Sequence, residues 1–378
     1  MNSNRSVLIF EQYIQSEKTR ENYRCQINAF CKWANYENWD KLLATDSQEL
    51  RIKIEDYVIY LKNKPVSPNY IRAKTFAIQS LCDSNEKEGI NWKKIRRLLG
   101  KKIKPKKTRP YTTNEVKLLL GTVRELRSKA LILFLSSSGV RRGAIPDMKI
   151  KDLKQMPDGC VMVTVYADTN EEYITFINKE ASDALTRYHK QREYDGERLT
   201  PDSLVFRAKY RSSNKKSVDN VRKFGENSIT NVIERAKQNS GIAIEDVPNM
   251  LCHAFRRRFN TILKLQNNAN PTLIERLMGH DQGLDNSYFQ PTPEQLFEEY
   301  QKGMSDLSID DSERLLAERK LIEEQMTELE AQKAETVALK RETETLKSDY
   351  ERLIALLTSQ KAEIKEQRGS EFHLRLKD

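Results

Sequence analysis

Histidine, cysteine and long apolar runs are all scarce in this chain of 378 residues, and each shortage narrows the possibilities. Only four histidines occur, and His253 and His280 have no Cys or His partner at the helical or loop spacing of a metal site, while His189 and His373 stand in unrelated contexts. A zinc centre is therefore not expected, and no metal is assigned. The five cysteines, Cys25, Cys31, Cys82, Cys160 and Cys252, are scattered and odd in number, which argues against a disulfide scaffold and suits a reducing compartment. No stretch approaches the roughly 18 apolar residues of a membrane span, and the opening MNSNRSVLIFEQYIQSEKTR holds no secretory core of adequate length. The expectation is a soluble cytoplasmic protein with no membrane partner.

The chain is long enough for two domains of ordinary size and an extension. Its formal charge of +10 favours an anionic partner, nucleic acid or an acidic surface. Residues 1–92 read as a small helical domain: Tyr23, Ile27, Phe30 and Ala34 recur at helical spacing, and Ile71, Thr75, Ile78 and Cys82 line one face after Ser67 and Pro68, a cap and first-turn proline. Residues 93–110 form a basic linker. Lys93, Lys94, Arg96, Arg97, Lys101, Lys102, Lys104, Lys106, Lys107 and Arg109 occur there without one acid, and Gly100, Pro105 and Pro110 interrupt the run. Such a run repels itself unless phosphates neutralise it, so it reads as a DNA-tracking strap; a solvated linker is the alternative.

Residues 111–303 read as a mixed domain, chiefly helical. Thr112 or Thr113 caps its first helix, with Glu115 in the first turn. The segment CVMVTVYADTNEEYITFI alternates through two β-rich runs joined by a turn near Asp168 to Asn170, a hairpin signal. Residues 304–378 differ again. Leu315, Ile322, Leu329, Thr336, Thr343, Tyr350, Leu357 and Ile364 recur every seven residues, joined by Leu339, Leu346 and Leu353 three places after members of that series. This is a coiled-coil pattern, and self-association through it is expected; a helix folded back on its own domain is the alternative. The fold class is thus multidomain and mainly α, with a small antiparallel β-sheet in the larger domain and a C-terminal coiled coil.

Arginine and histidine carry the chemistry. In HAFRRRFN, His253 and Arg256 are three apart and share one helical face, while Phe255 and Phe259 share another that can enter the core. Arg141 follows Gly139 where a buried apolar segment stops. Two arginines and two imidazoles can enclose one phosphate, as displacement at phosphorus requires, because charge accumulates on its nonbridging oxygens. Alternatively, Arg256, Arg257 and Arg258 coat a surface.

In this order the pieces resemble the tyrosine recombinases, the phage-integrase family, especially its divergent archaeal branch and mobile-element members. SSGVRRGAI is similar to the family's first arginine box and carries the catalytic arginine onto Arg141. HAFRRRFNT matches its His-x-x-Arg box at His253 and Arg256, LIERLMGHDQG the segment of the next catalytic histidine at His280, and SYFQPT puts the nucleophile at Tyr288. The likeness covers roughly residues 8–303, with residues 1–92 as the core-binding domain and 111–303 as the catalytic domain. It implies a site-specific DNA recombinase or integrase working through a 3′-phosphotyrosyl intermediate on double-stranded DNA, as a homo-tetramer on paired sites, without cofactors. Arg141 and Arg256 would clamp the phosphate, with His253 and His280 supporting proton transfer.

Two positions depart from the family pattern. Ala144 stands where an acidic residue is common, so Arg141 must be oriented from elsewhere. The hairpin position of the family's general-acid lysine is closest to Asn170, with Lys149, Lys151, Lys154 and Lys179 flanking. A type IB topoisomerase is the nearest enzymatic rival, and a DNA-binding accessory protein that has lost cleavage is a rival of another class. Tyr300 is a second candidate tyrosine, disfavoured by its neighbours Glu298 and Glu299.

Overall fold

The computed structural model describes residues 5–100, 109–242, 251–281, 283 and 288–374; Lys101, Lys102, Lys104, Lys106 and Lys107 lie outside them. The chain divides into two compact units, Met1–Lys107 and Thr108–Asp378.

The first unit holds α1 (Arg5–Tyr13), α2 (Glu17–Ala34), α3 (Trp39–Ala44), α4 (Ser47–Lys62), α5 (Pro68–Ser84) and α6 (Trp92–Leu98). Short polar side chains begin five of them: Ser16, Asn38, Asp46, Ser67 and Asn91 each accept a backbone N–H of the first turn. The apolar stripes of α2 and α5 meet in one core, where Ile27, Phe30, Ile71, Thr75, Ile78 and Cys82 are all buried. Ile95 and Leu99 enter the same core. Fully burying an aliphatic side chain stabilises by about 1.5–3 kcal/mol, enough to hold α6 in place despite its cations. The expected boundary at residue 93 therefore corrects to one after α6: the first half of the basic stretch belongs to this helical unit.

The second unit opens with α7 (Thr113–Thr122), where Thr112 and Glu115 form a reciprocal capping box. The next helix, α8 (Leu126–Ser138), is buried on every face from Ala130 to Ser138 because α7, the sheet and two later helices pack around it. The sheet is antiparallel in the order β1 (Leu153–Gln155), β2 (Val161–Val165), β3 (Tyr173–Ile177), with Val165 opposite Tyr173 across the hairpin. The hairpin lies where the alternating residues predict it, whereas β1 is too short to show a period. There follow α9 (Lys179–Tyr194), α10 (Lys215–Asp219), α11 (Glu226–Asn239), α12 (Cys252–Lys264), α13 (Pro271–Leu277), α14 (Pro293–Gln301), α15 (Met304–Leu307) and α16 (Asp311–Leu374).

The mainly helical class with a small antiparallel sheet is what the sequence led us to expect. The boundary at 303 moves, because Leu307 and Ile309 are buried in the second unit's cores. The extension is α16 alone. All its side chains from 325 to 358 are exposed, so this stretch is not folded back on its own domain.

Candidate active site

Two left-handed glycines frame the site. Gly139 ends α8 with φ at +61°, and a Cβ there would approach the Phe259 ring to 2.7 Å. Gly279 follows α13 with φ at +57°, and a Cβ there would overlap the Tyr173 ring. The Gly279 N–H donates to Arg276 O at 2.8 Å and the His280 N–H to Glu275 O at 3.0 Å, a helix ending that only glycine accommodates without strain and that delivers His280 to a fixed place.

The carbonyls of these turns receive the two candidate arginines. Arg256 Nη1 donates to Gly139 O at 2.8 Å and Nη2 to Met278 O, while Arg141 Nη2 donates to Gly279 O at 3.0 Å. Arg256 is buried, which lowers its pKa, with Tyr173 opposing the shift and Arg141 adding to it. The Arg141 guanidinium lies 6.0 Å from the Tyr173 ring centroid. This answers the departure at position 144: buried Ala144 offers nothing to Arg141, and the Gly279 carbonyl with the Tyr173 ring orients it instead. The neighbouring Arg142 takes the carboxylate, pairing with Glu226 at 3.3 Å and donating to Thr230 at 2.7 Å.

His253 sits one turn before Arg256 on α12, exposed at its surface. Partial desolvation, and then the charges of Arg257, Arg256, His280 and Arg141, lower its pKa and favour the neutral ring. A depressed histidine charges only as pH falls below the free value of about 6.5. Its titration midpoint by NMR should therefore lie below that value, and Arg257→Ala should raise it; a lowered midpoint in the variant would contradict this electrostatic account.

On His280, Nδ1 bonds to Glu275 Oε2, and Glu275 also pairs with Lys264. Burial raises the Glu275 pKa, but Lys264 and His280 outweigh it and hold the carboxylate below its usual range. A carboxylate on Nδ1 fixes the ring and leaves Nε2 for the site. Arg141, His253, Arg256 and His280 are thus brought together. Tyr288 is 86% exposed, and the next residue is tied down by Arg276 Nη2 donating to Phe289 O at 2.5 Å. Tyr300 differs entirely: it is 0% exposed, with its hydroxyl 2.7 Å from Ser137 Oγ.

Asn170 is exposed on the hairpin turn. Of the flanking lysines, Lys149 and Lys151 pair with Asp202 at 3.3 and 3.2 Å and Lys179 with Asp183 at 2.8 Å, while Lys154 is exposed on β1. In the basic stretch, Lys93, Lys94, Arg96 and Arg97 are exposed on α6, and Arg109 grips Glu115 through two contacts of 2.7 and 2.5 Å. Among the described residues no group of three His, Cys, Asp or Glu side chains could hold a metal ion, and no helix is long and apolar enough to cross a membrane.

Sequence reasoning missed Tyr173, Glu275 and Arg258. Arg258 does not coat a surface: it is 1% exposed and donates to Ser136, Thr113 and the carbonyls of Asp306 and Leu307. A signal for Glu275 existed in the glycine four residues after it, because that helix ending turns His280 back over the last turn. None existed for Tyr173, which meets its partners only through the fold.

Residues 110–288 match the Phage integrase family. No curated protein matches the sequence. Among solved structures, the Tn1549 transposon integrase in complex with transposon right end DNA is similar at 13% identity over 78% of this chain and 98% of that one, with a TM-score of 0.51. XerH recombinase bound to difH substrate aligns at 16% identity over 74% and 78% with a TM-score of 0.48, and XerA recombinase at 18% over 79% and 97% with 0.37. At such identities the Tn1549 likeness speaks to fold alone, and the two lower scores carry no argument. The archaeal affinity suggested by the sequence is not carried by these matches. Residues 110–288 thus carry the sequence pattern of the phage integrase family, that of the tyrosine site-specific DNA recombinases.

Proposed function

We propose that the protein breaks and rejoins duplex DNA with Tyr288 as nucleophile. The phenol oxygen attacks a phosphodiester phosphorus, forming a 3′-phosphotyrosyl bond as the bond to the 5′-oxygen breaks. The phenol loses its proton and the departing oxygen gains one. A 5′-hydroxyl from another strand then reverses the process, so the bond energy is conserved and neither ATP nor a metal is required. The observation that supports this reading most is the convergence of Arg141 and Arg256 on the carbonyls of Gly139, Met278 and Gly279. Guanidiniums held in advance stabilise charge developing on nonbridging oxygens without reorganising during the reaction.

His253, whose surroundings favour the neutral ring, is fitted to accept a proton, and His280 presents Nε2 with its other nitrogen held by Glu275. With an asparagine at position 170 of the hairpin, proton donation to the leaving oxygen falls in this reading to the histidines. The exposed cations of α6 and the lysines of 101–107 bind backbone phosphate without reading bases. Exchange of both strands requires four nucleophiles, hence four protomers on two paired sites.

The test is a nicked suicide substrate from which the short cleaved strand diffuses away. The trapped adduct should map by mass spectrometry to Tyr288 joined to a 3′-phosphate. Attachment at another residue overturns the nucleophile, and attachment to a 5′ end overturns the mechanism.

A further inference from the structure

The long helix α16 offers a surface that the cleavage reading leaves unused. Its 64 residues extend about 96 Å at 1.5 Å per residue. Leu329, Leu339, Leu346, Tyr350, Leu353 and Leu357 are all at least half exposed on it. A lone helix presenting such a row to water is poorly stabilised, because most helical stability comes from packing an apolar face.

The charges beside this row identify its occupant. Leu329, Thr336, Thr343, Tyr350 and Leu357 take heptad position a, and Leu339, Leu346 and Leu353 take d. Between residues 328 and 349, position g is then Glu328, Glu335, Glu342 and Asp349, and position e is Lys333, Lys340 and Lys347. Acids thus flank one side of the seam and lysines the other. In a parallel pair in register, g of one helix faces e of the next heptad on its partner, so Glu328, Glu335 and Glu342 meet Lys333, Lys340 and Lys347 of the other copy, and the reverse contacts form by symmetry. In an antiparallel pair g faces g and e faces e, setting acid against acid and lysine against lysine. Leucine at d with β-branched threonine at two a positions also suits two strands.

We propose that this face docks a second copy of the same chain as a parallel, in-register two-stranded coiled coil that forms without DNA. The base of the helix is anchored to its catalytic unit: Ile309 and Asp310 N–H groups donate to Glu180 at 2.8 and 3.1 Å, and Lys117 holds Asp311 at 2.6 Å. A parallel rod therefore joins two catalytic units at the same end before any site is bound. This inference does not rest on the cleavage mechanism and can fail separately from it.

Deleting residues from 307 onward is a poor test, because Leu307 and Ile309 belong to the catalytic unit's cores. Charge exchange at exposed positions avoids this. The full chain without DNA should sediment as a dimer. Lys333→Glu/Lys340→Glu/Lys347→Glu should weaken association by roughly a hundredfold or more, as should Glu328→Lys/Glu335→Lys/Glu342→Lys, and mixing the two should restore the dimer. Gln332→Cys, at d near one end of the seam, should crosslink to its counterpart on oxidation beyond the background of the parent. A monomeric or trimeric parent, dimers unaffected by both triple changes, or no added crosslink would overturn the proposal.

Discussion

Tyr288→Phe is expected to form no covalent adduct on a suicide substrate while binding duplex DNA as the parent does, and Tyr300→Phe is expected to keep forming the adduct. The two tyrosines lie twelve positions apart in sequence but in opposite environments. Tyr288 is on the surface, where a phosphodiester can reach it, and its replacement removes one oxygen only. Tyr300 is packed among Phe176, Phe259 and Phe297, and burial pushes its phenol pKa far above the ordinary value, so its phenolate is inaccessible at any working pH. Electrostatics from adjoining carboxylates is not what disqualifies it: Glu299 is turned inward, bonded to the Asn270 N–H and Lys302. Losing the Tyr300 hydroxyl should cost about 1 kcal/mol, a fall in Tm of roughly 2–4 °C by calorimetry. A folded Tyr300→Phe protein that forms no adduct would return that residue to candidacy.

The second large effect separates two arginines that lie two residues apart in sequence and project from different sides of α12. Arg256→Ala should lower the single-turnover cleavage rate by on the order of a hundredfold to a thousandfold, the scale for removing a preorganised donor to developing oxyanion charge. Arg256→Lys should recover little of it, because an ammonium cannot bridge two carbonyls and a phosphate as a planar guanidinium can. Arg258→Ala should do the reverse. It leaves Ser136, Thr113 and the carbonyls of Asp306 and Leu307 without their buried donor, at a cost of about 3 kcal/mol, or roughly 6–12 °C in Tm, with the rate per folded molecule near that of the parent. Burial pushes the Arg258 pKa down to about 10, still leaving it charged at pH 7. Equal stability but lost cleavage in Arg258→Ala would place this side chain at the reacting phosphate.

The sequence by itself determined what depends on neighbours along the chain. Ser67 with Pro68 and Thr112 with Glu115 start their helices because cap and first turn lie within a few residues. Ile71 and Ile78 share a face because the helical period is local, and Val161 and Val163 share another because the strand period is two. The hairpin and the order of the four boxes were legible for the same reason. Tertiary structure alone decided which of three consecutive arginines faces the site and which the interior, since helical rotation separates them but only the packing of α8 and residues 306–307 fixes which direction is inside. It alone brought Arg141 to the Gly279 carbonyl, across 138 positions of chain, and set Tyr173 against Gly279, where no side chain fits. It moved α6 and residues 304–309 out of the expected linker and tail into cores, because burying Ile95, Leu99, Leu307 and Ile309 outweighs the polar residues around them. Contacts between distant segments leave no period and no spacing to read, and at this site they are the ones that hold the arginines still.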